Sequence, residues 1–313
     1  MRKKLFLGTA LGALLAAGVS APVRADETYI PLISKGFQHQ FWQAVKLGAE
    51  QAAKAANVKI TFEGPETEAM VDKQIDMLSA ALAKKPTALG FAALDSKAAI
   101  PLLKKAQAAK VPVIAFDSGV DSDIPLTTCT TDNVAAAGLA ADKMAQAIGD
   151  SGEVGVVVHD QTSRTGIDRR DGFLNEMKAK HPNIKVVDVQ YGGGDHLKSA
   201  EIAKTMLQAH PSLKGIFGAN EGSAEGVAIG VKESGKKVVI IGYDSGKEQK
   251  DAIRSGAMLG AITQNPIGIG KCTVDEAVKA LKGETLPKVV DTGFYWYDKS
   301  NIDDPKIAAV LYD

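Results

Sequence analysis

Ten residues of this chain combine hydrogen-bonding or aromatic chemistry with a shared setting, the few positions that follow a β-rich run: Lys35, His39, Phe41 and Trp42 after the first run, Asp117 after the fourth, and Arg164, Arg169, Asn220, Asp244 and Gln264 in the second half. The set is short of nucleophiles and rich in planar donors and acceptors. A hydroxyl both donates and accepts, so a buried polyol needs carboxylates to accept, Arg or Lys to donate, and Asn or Gln to do both. Bonds to charged partners are the stronger ones. The C–H faces of a sugar ring pack on aromatic planes such as Phe41 and Trp42. Together these residues suit one small polyhydroxylated molecule. Seven of them also have a plainer role: Asp117, Asp244 and Asn220 as helix N-caps, Phe41 and Trp42 as core residues, His39 as a surface residue, and Arg169 as the partner of Asp171 or another acid.

The elements that position them alternate strand and helix. Strands are predicted at Tyr29–Ile33, Lys59–Glu63, Ala88–Ala92, Pro112–Phe116 and Leu126–Thr128, then at Glu153–His159, Ile184–Gln190, Gly215–Gly218, Val238–Gly242 and Leu259–Thr263. Helical patterns such as Gln40–Ala55, Ala69–Lys84, Asn133–Ile148, Arg169–Lys180 and Ala200–Ala209 lie between them. In the second, Val71, Ile75, Leu78 and Leu82 recur at helical spacing and are expected to face a sheet. Alternation of this kind specifies βαβ units and parallel sheets. The series is too long for one open sheet and restarts near Thr131, so the expected fold is α/β with two doubly wound, Rossmann-like domains. The ligand then sits in the cleft between them, beyond the carboxyl ends of the strands.

Composition narrows the function classes. With 45% hydrophobic and 24% charged residues in 313, the chain is neither disordered nor a multi-pass membrane protein. Lys and Arg together number 37, as do Asp and Glu, which leaves no basic surplus for a nucleic-acid backbone. The N-terminus reads as a cleaved secretory signal over residues 1–25: Arg2-Lys3-Lys4, an uncharged stretch from Leu5 to about Ser20, then Val23-Arg24-Ala25 at the cleavage site. Export exposes Cys129 and Cys272 to oxidising conditions, and a bridge or two separate apolar thiols are both compatible with the sequence. No Gly-x-Ser-x-Gly, His-Glu-x-x-His or phosphate loop is present, and the five histidines lack metal-ligand spacing. Gly192-Gly193-Gly194-Asp195 reads as a strand-to-helix turn with Asp195 as cap, and no cofactor is expected.

Seven segments carry a resemblance. They are Gly36-Phe37-Gln38-His39-Gln40-Phe41-Trp42, Val113-Ile114-Ala115-Phe116-Asp117, Thr131-Asp132-Asn133, Arg169-Arg170-Asp171-Gly172-Phe173, Ala219-Asn220-Glu221, Ile240-Ile241-Gly242-Tyr243-Asp244 and Ala261-Ile262-Thr263-Gln264. In this order the chain resembles the periplasmic sugar-binding proteins of ABC transporters, of the ribose-binding-protein type. The resemblance implies a type I periplasmic binding protein fold with a three-strand hinge, crossing near Thr131, Gln264 and Asp291. One lobe is then 26–131 plus 265–291 and the other 132–264 plus 292–313. It also implies a monomeric periplasmic receptor, not an enzyme, that hands a sugar or polyol to an ABC transporter permease. Phe41 and Trp42 fall on the family's stacking positions, and Asp117, Asn220, Asp244 and Gln264 on its polar contacts. Ile167 stands where relatives carry a sugar-binding Arg, leaving Arg164 or Arg169 to reach the ligand or that bond absent. Lys35 and His39 replace the usual Ser and Asn, so ribose itself is not implied. Two alternatives stand beside this reading: a receptor of the same fold for autoinducer-2 or another non-sugar solute, and a secreted glycoside hydrolase using Asp117 and Asp244 as its paired carboxylates.

Overall fold

The computed structural model describes residues 27–312, and the expected signal segment lies outside them. The chain begins with β1 (Tyr29–Ile33), α1 (Gln40–Ala56), β2 (Lys59–Glu63), α2 (Val71–Ala83), β3 (Leu89–Phe91), α3 (Ile100–Ala108), β4 (Val113–Phe116) and β5 (Thr127–Thr130). It then passes into α4 (Asn133–Ile148), β6 (Gly152–Val158), α5 (Arg164–Lys180), β7 (Ile184–Tyr191), α6 (His196–Ala209), β8 (Leu213–Gly218), α7 (Glu221–Ser234), β9 (Val239–Tyr243), α8 (Lys247–Ser255) and β10 (Gly260–Gln264). The remainder is α9 (Pro266–Leu281), β11 (Val289–Asp291), β12 (Phe294–Asp298) and α10 (Pro305–Ala308).

The strands form two six-stranded sheets in the orders β11-β5-β4-β3-β1-β2 and β12-β10-β9-β8-β6-β7. Every pairing is parallel except β10 with β12. Each sheet is the core of one lobe, and the chain passes between them after β5, after β10 and between β11 and β12. In both, the order reverses beside the first strand, β1 or β6, which opens a crevice at the strand ends.

The apolar patterns become four buried clusters, two in each lobe. Helix α1 buries Phe41, Val45, Ala49 and Ala52 at steps of four, four and three, a continuous stripe toward the first sheet. Its seat against α9 requires glycine: a Cβ on Gly48 would lie 2.0 Å from the Ile267 carbonyl, and one on Gly270 1.9 Å from that of Val45. The two backbones therefore touch, which fixes where α1 begins. That start carries His39, Phe41 and Trp42.

Three expectations need correction. Strand β5 runs to Thr130, two residues beyond the predicted end, while Leu126 stays exposed. The buried face of α2 centres on Gln74, Leu78 and Ala81, with Ile75 and Leu82 at its margins. An apolar count passes over Gln74, yet its amide donates to the carbonyls of Ser34 and Ala92 at 2.8 Å and accepts from Leu94 N at 3.0 Å. It clamps the ends of β1 and β3, where the cleft opens. Strands β11 and β12 were not anticipated, because three residues of β11 and an edge strand of mixed burial lack a clear period.

Cys129 and Cys272 form a disulfide, with Cα atoms 6.0 Å apart. It joins β5 to α9 within the first lobe, although 143 residues separate the two in sequence. The segment between them includes five of the six strands of the second sheet, β6 to β10. Among the described residues no helix is long and apolar enough to cross a membrane.

Candidate functional site

The loops after the strands of both sheets face each other across the cleft, and the lobes meet there. At the lip Ser96 N donates to the Thr162 carbonyl at 3.0 Å. Deeper in, Lys35 Nζ of the first lobe donates to Thr165 Oγ1 of the second at 3.2 Å, and Gln38 Nε2 donates to the Gly194 carbonyl at 3.0 Å. Between the lobes lies a small cavity lined by residues of both.

Nine of the ten candidate residues line this cavity: Lys35, His39, Phe41, Trp42, Asp117, Arg169, Asn220, Asp244 and Gln264. All are buried. Arg164 does not join them. Its guanidinium, on the outer side of the first turn of α5, pairs with Asp168 one turn on and lies 3.6 Å from Asp121 of the other lobe. Arg169, one and a half turns further along α5, points inward instead. It lies 3.8 Å over the Tyr243 ring, donates to Asn133 Oδ1 at 2.7 Å and to the Ala219 carbonyl at 3.0 Å, and approaches Asp244 at 3.9 Å. It does not pair with Asp171, whose partner is Arg170. Ile167 is absent from the cavity wall.

The carboxylates differ in how they are held. Asp117 follows β4 with φ +55°, a left-handed conformation that Asp tolerates better than most residues and that turns its side chain into the cleft. Among the described residues no group donates a hydrogen bond to its carboxylate. Burial pushes this carboxyl up to about 6, despite the opposing pull of Lys35 and Arg169. Asp244 also has a left-handed backbone, at φ +80°, but accepts from Gln264 Nε2 at 2.7 Å and from Glu221 N at 3.0 Å. Neither Asp is the N-cap residue of a helix, although Asp244 receives the first N–H of α7. Asn220 is one: its Oδ1 accepts from Ser223 N at 2.9 Å, while its Nδ2 stays on the cavity side, 3.5 Å from His39 Nε2. The plain and the functional readings of Asn220 are thus compatible.

Three lining residues fell outside the sequence-derived set: Glu68, His159 and Thr165. Glu68 Oε1 accepts from Trp42 Nε1 at 2.8 Å, and its buried Oε2 has no hydrogen-bond partner. Burial opposes its charge, but Lys35 above all, with the Trp42 N–H, holds the Glu68 carboxyl down at about 2. Burial keeps His39 and His159 neutral by lowering both below the usual histidine range. Glu68 lies in the loop after β2 and His159 directly after β6, so the rule that selects residues after strands reaches both. The candidate set takes no residue from the loop after β2, and the expected strand Glu153–His159 includes His159, which the structure places just beyond β6.

Phe41 and Trp42 meet edge to face, with ring centroids 5.0 Å apart and planes at 84°. Only one of the two can lie flat on a given face of a ring; the other offers its edge.

The family sequence model described as periplasmic binding protein domain matches residues 30–285. The chain belongs to the periplasmic binding protein family. The D-allose-binding periplasmic protein of Escherichia coli is 28% identical to this binding protein over 91% of the chain and 93% of its own length. Solved structures agree. An ABC transporter solute binding protein from Agrobacterium vitis, bound with α-D-tagatopyranose, is 34% identical with a TM-score of 0.87, over 92% of this chain and 100% of that one. A carbohydrate transporter solute binding protein from Agrobacterium radiobacter, in complex with D-arabinose, also has 34% identity and a TM-score of 0.87, over 91% and 99%. The periplasmic binding protein fold, two α/β lobes around a polar cleft, is therefore common to all three.

Proposed function

We propose that this periplasmic binding protein is a receptor that encloses one neutral monosaccharide or small polyol between its lobes and presents it to an ABC transporter permease. The observation that carries the reading is the Asp117 carboxylate, buried between the lobes with no protein donor: two sugar hydroxyls are the donors it lacks. Lys35 lies 3.8 Å from Glu68 and 3.9 Å from Asp160, and Arg169 lies 3.9 Å from Asp244, so each cation already has a carboxylate beside it. A sugar acid would find no unpaired cation. In this reading Glu68 Oε2 takes a further hydroxyl, His39, Asn220 and Gln264 fix the ring's orientation, and Phe41 or Trp42 covers one face. The arrangement binds without turnover, because ligand contacts from both lobes stabilise the closed form by their difference between open and closed states. A relative named for D-allose and two solved structures holding α-D-tagatopyranose and D-arabinose support a single-ring cargo. The periplasm supports it too, since the Cys129–Cys272 bridge suits an oxidising compartment.

The test is a thermal-shift panel on the chain, refolded to strip co-purified ligand, against neutral pentoses, hexoses and polyols and against sugar acids. A cognate sugar at a thousandfold excess over Kd stabilises by about 4 kcal/mol, so one neutral member should stand out. A response to sugar acids alone, a flat panel, or hydrolysis of an added glycoside would each overturn the proposal.

A further inference from the structure

Two helices that begin at the cleft have no cap of their own. His39 precedes α1 and Gly246 precedes α8, and neither supplies a side-chain bond to the first turn. Both helices are capped from the opposite lobe. Glu221, at the start of α7, accepts from Gln40 N at 2.9 Å through Oε1 and from Phe41 N at 3.1 Å through Oε2. In return the Gln40 side chain, on α1, accepts from Lys247 N of α8 at 2.8 Å. Tyr312 braces the exchange: its hydroxyl donates to Glu221 Oε2 at 3.0 Å, and its ring meets Phe41 edge to face at 6.1 Å.

We infer that closing the cleft completes the caps of α1 and α8 in trans, so that Glu221 and Gln40 are positioning residues that hold the closed state and the cavity wall made by Phe41. When the lobes part, the first N–H groups of both helices are returned to water. The interaction exists only in the closed form, so it lengthens the life of a bound complex without speeding capture. Burial, with Asp244 and Glu225 nearby, pushes the Glu221 carboxyl up to about 8 against the pull of the two N–H groups, which makes the neutral, isosteric Glu221→Gln the mild variant.

The decisive experiment needs no ligand. Ser96 and Thr162 meet backbone to backbone at the lip, so Ser96→Cys with Thr162→Cys, oxidised, holds the protein shut. Amide hydrogen exchange resolved by NMR is compared with the unsubstituted, ligand-free chain. Gln40, Phe41 and Lys247 should exchange at least about tenfold more slowly in the locked protein. Adding Glu221→Ala should restore fast exchange at Gln40 and Phe41 and leave Lys247 slow, Gln40→Ala should do the reverse, and Glu221→Gln should keep part of the protection. Equal exchange in locked and unlocked proteins, or loss of protection at all three amides in either variant, would overturn the inference. Its kinetic consequence rests on the receptor reading. With D-allose, D-tagatose and D-arabinose as probes in stopped-flow tryptophan fluorescence, Glu221→Ala should raise the dissociation rate about 3- to 30-fold and leave association unchanged. A slower association with unchanged dissociation would contradict the latch. If none of the three sugars binds the unsubstituted protein, the receptor reading loses support while the exchange result still decides the latch.

Discussion

Asp117 and Asp244 occupy equivalent places in the two lobes. Each follows the third strand from one edge of its sheet, each has a left-handed backbone, and each donates its N–H to the neighbouring strand, Asp117 to the Cys129 carbonyl at 2.8 Å and Asp244 to that of Ile262 at 2.6 Å. A buried serine follows both, Ser118 and Ser245. Their carboxylates nevertheless do different work. Asp244 is held by the Gln264 amide, by the first N–H of α7 and by nearby Arg169, which ties the hinge to the second lobe. Asp117 has no such company and faces the cavity. The same local sequence thus yields a structural hub in one lobe and an unsatisfied acceptor in the other. The neighbours decide which.

Substitution should separate the two most widely. Asp244→Ala leaves the Gln264 amide and the start of α7 without their acceptor and removes the charge beside Arg169, and is expected to lower the unfolding free energy by about 3–5 kcal/mol in urea titrations. Asp117→Asn removes a buried carboxylate that burial disfavours, so stability should hold or rise. Its sugar affinity should fall about a hundredfold or more, for two lost hydrogen bonds to a charged acceptor. Equal destabilisation by both substitutions would erase the distinction.

The strands that receive the two N–H bonds are also anchored differently. In the first lobe Cys129 is fixed to α9 by the disulfide, whereas the corresponding Ile262 has no covalent cross-link and is held by its strand pairings and its apolar cluster. Replacing both cysteines by alanine should cost about 2–5 kcal/mol, read from the thermal midpoint. Hydrogen exchange should place the loosening around β5 and α9. Loosening spread evenly over both lobes would argue against a local anchor.

The smallest effect is the proton on Asp117. Its folded pKa of about 6 lies above the ordinary carboxylate value, so the ligand-free native state holds a proton that the unfolded chain has released. Native stability from this group is therefore lost as pH rises from about 4 to 6. Sugar binding runs the other way: hydroxyl donors need the ionised acceptor. Affinity measured by calorimetry should be level above about pH 7 and fall by up to about tenfold per unit below 6. A profile flat from pH 8 to 5 would mean that Asp117 does not receive the ligand's hydroxyls.

Local chemistry made much of this molecule legible. Periodicity and turn residues marked ten of the twelve strands, because a buried parallel strand is a short apolar run bounded by polar loops. Strand ends pointed to the nine candidates that meet in the cavity, because open α/β sheets collect their ligands there. Arg164 stands beside Arg169 as a candidate because the two flank Ile167, where the resemblance implies a sugar-binding Arg. A difference of five residues turns them to opposite sides of α5, and charge type alone does not reveal that.

Residue order along the chain determined the two lobes, the helix faces and the presence of a polar cleft, since each follows from interactions among near neighbours. Tertiary structure alone decided the rest: that Cys129 meets Cys272, that Glu68 from a loop after β2 shares a wall with Lys35, and that Glu221 caps a helix of the other lobe. Those outcomes depend on the distance between groups far apart in sequence, and only the packing of the two sheets sets that distance. The same packing supplies Asp244 with partners and leaves Asp117 without them.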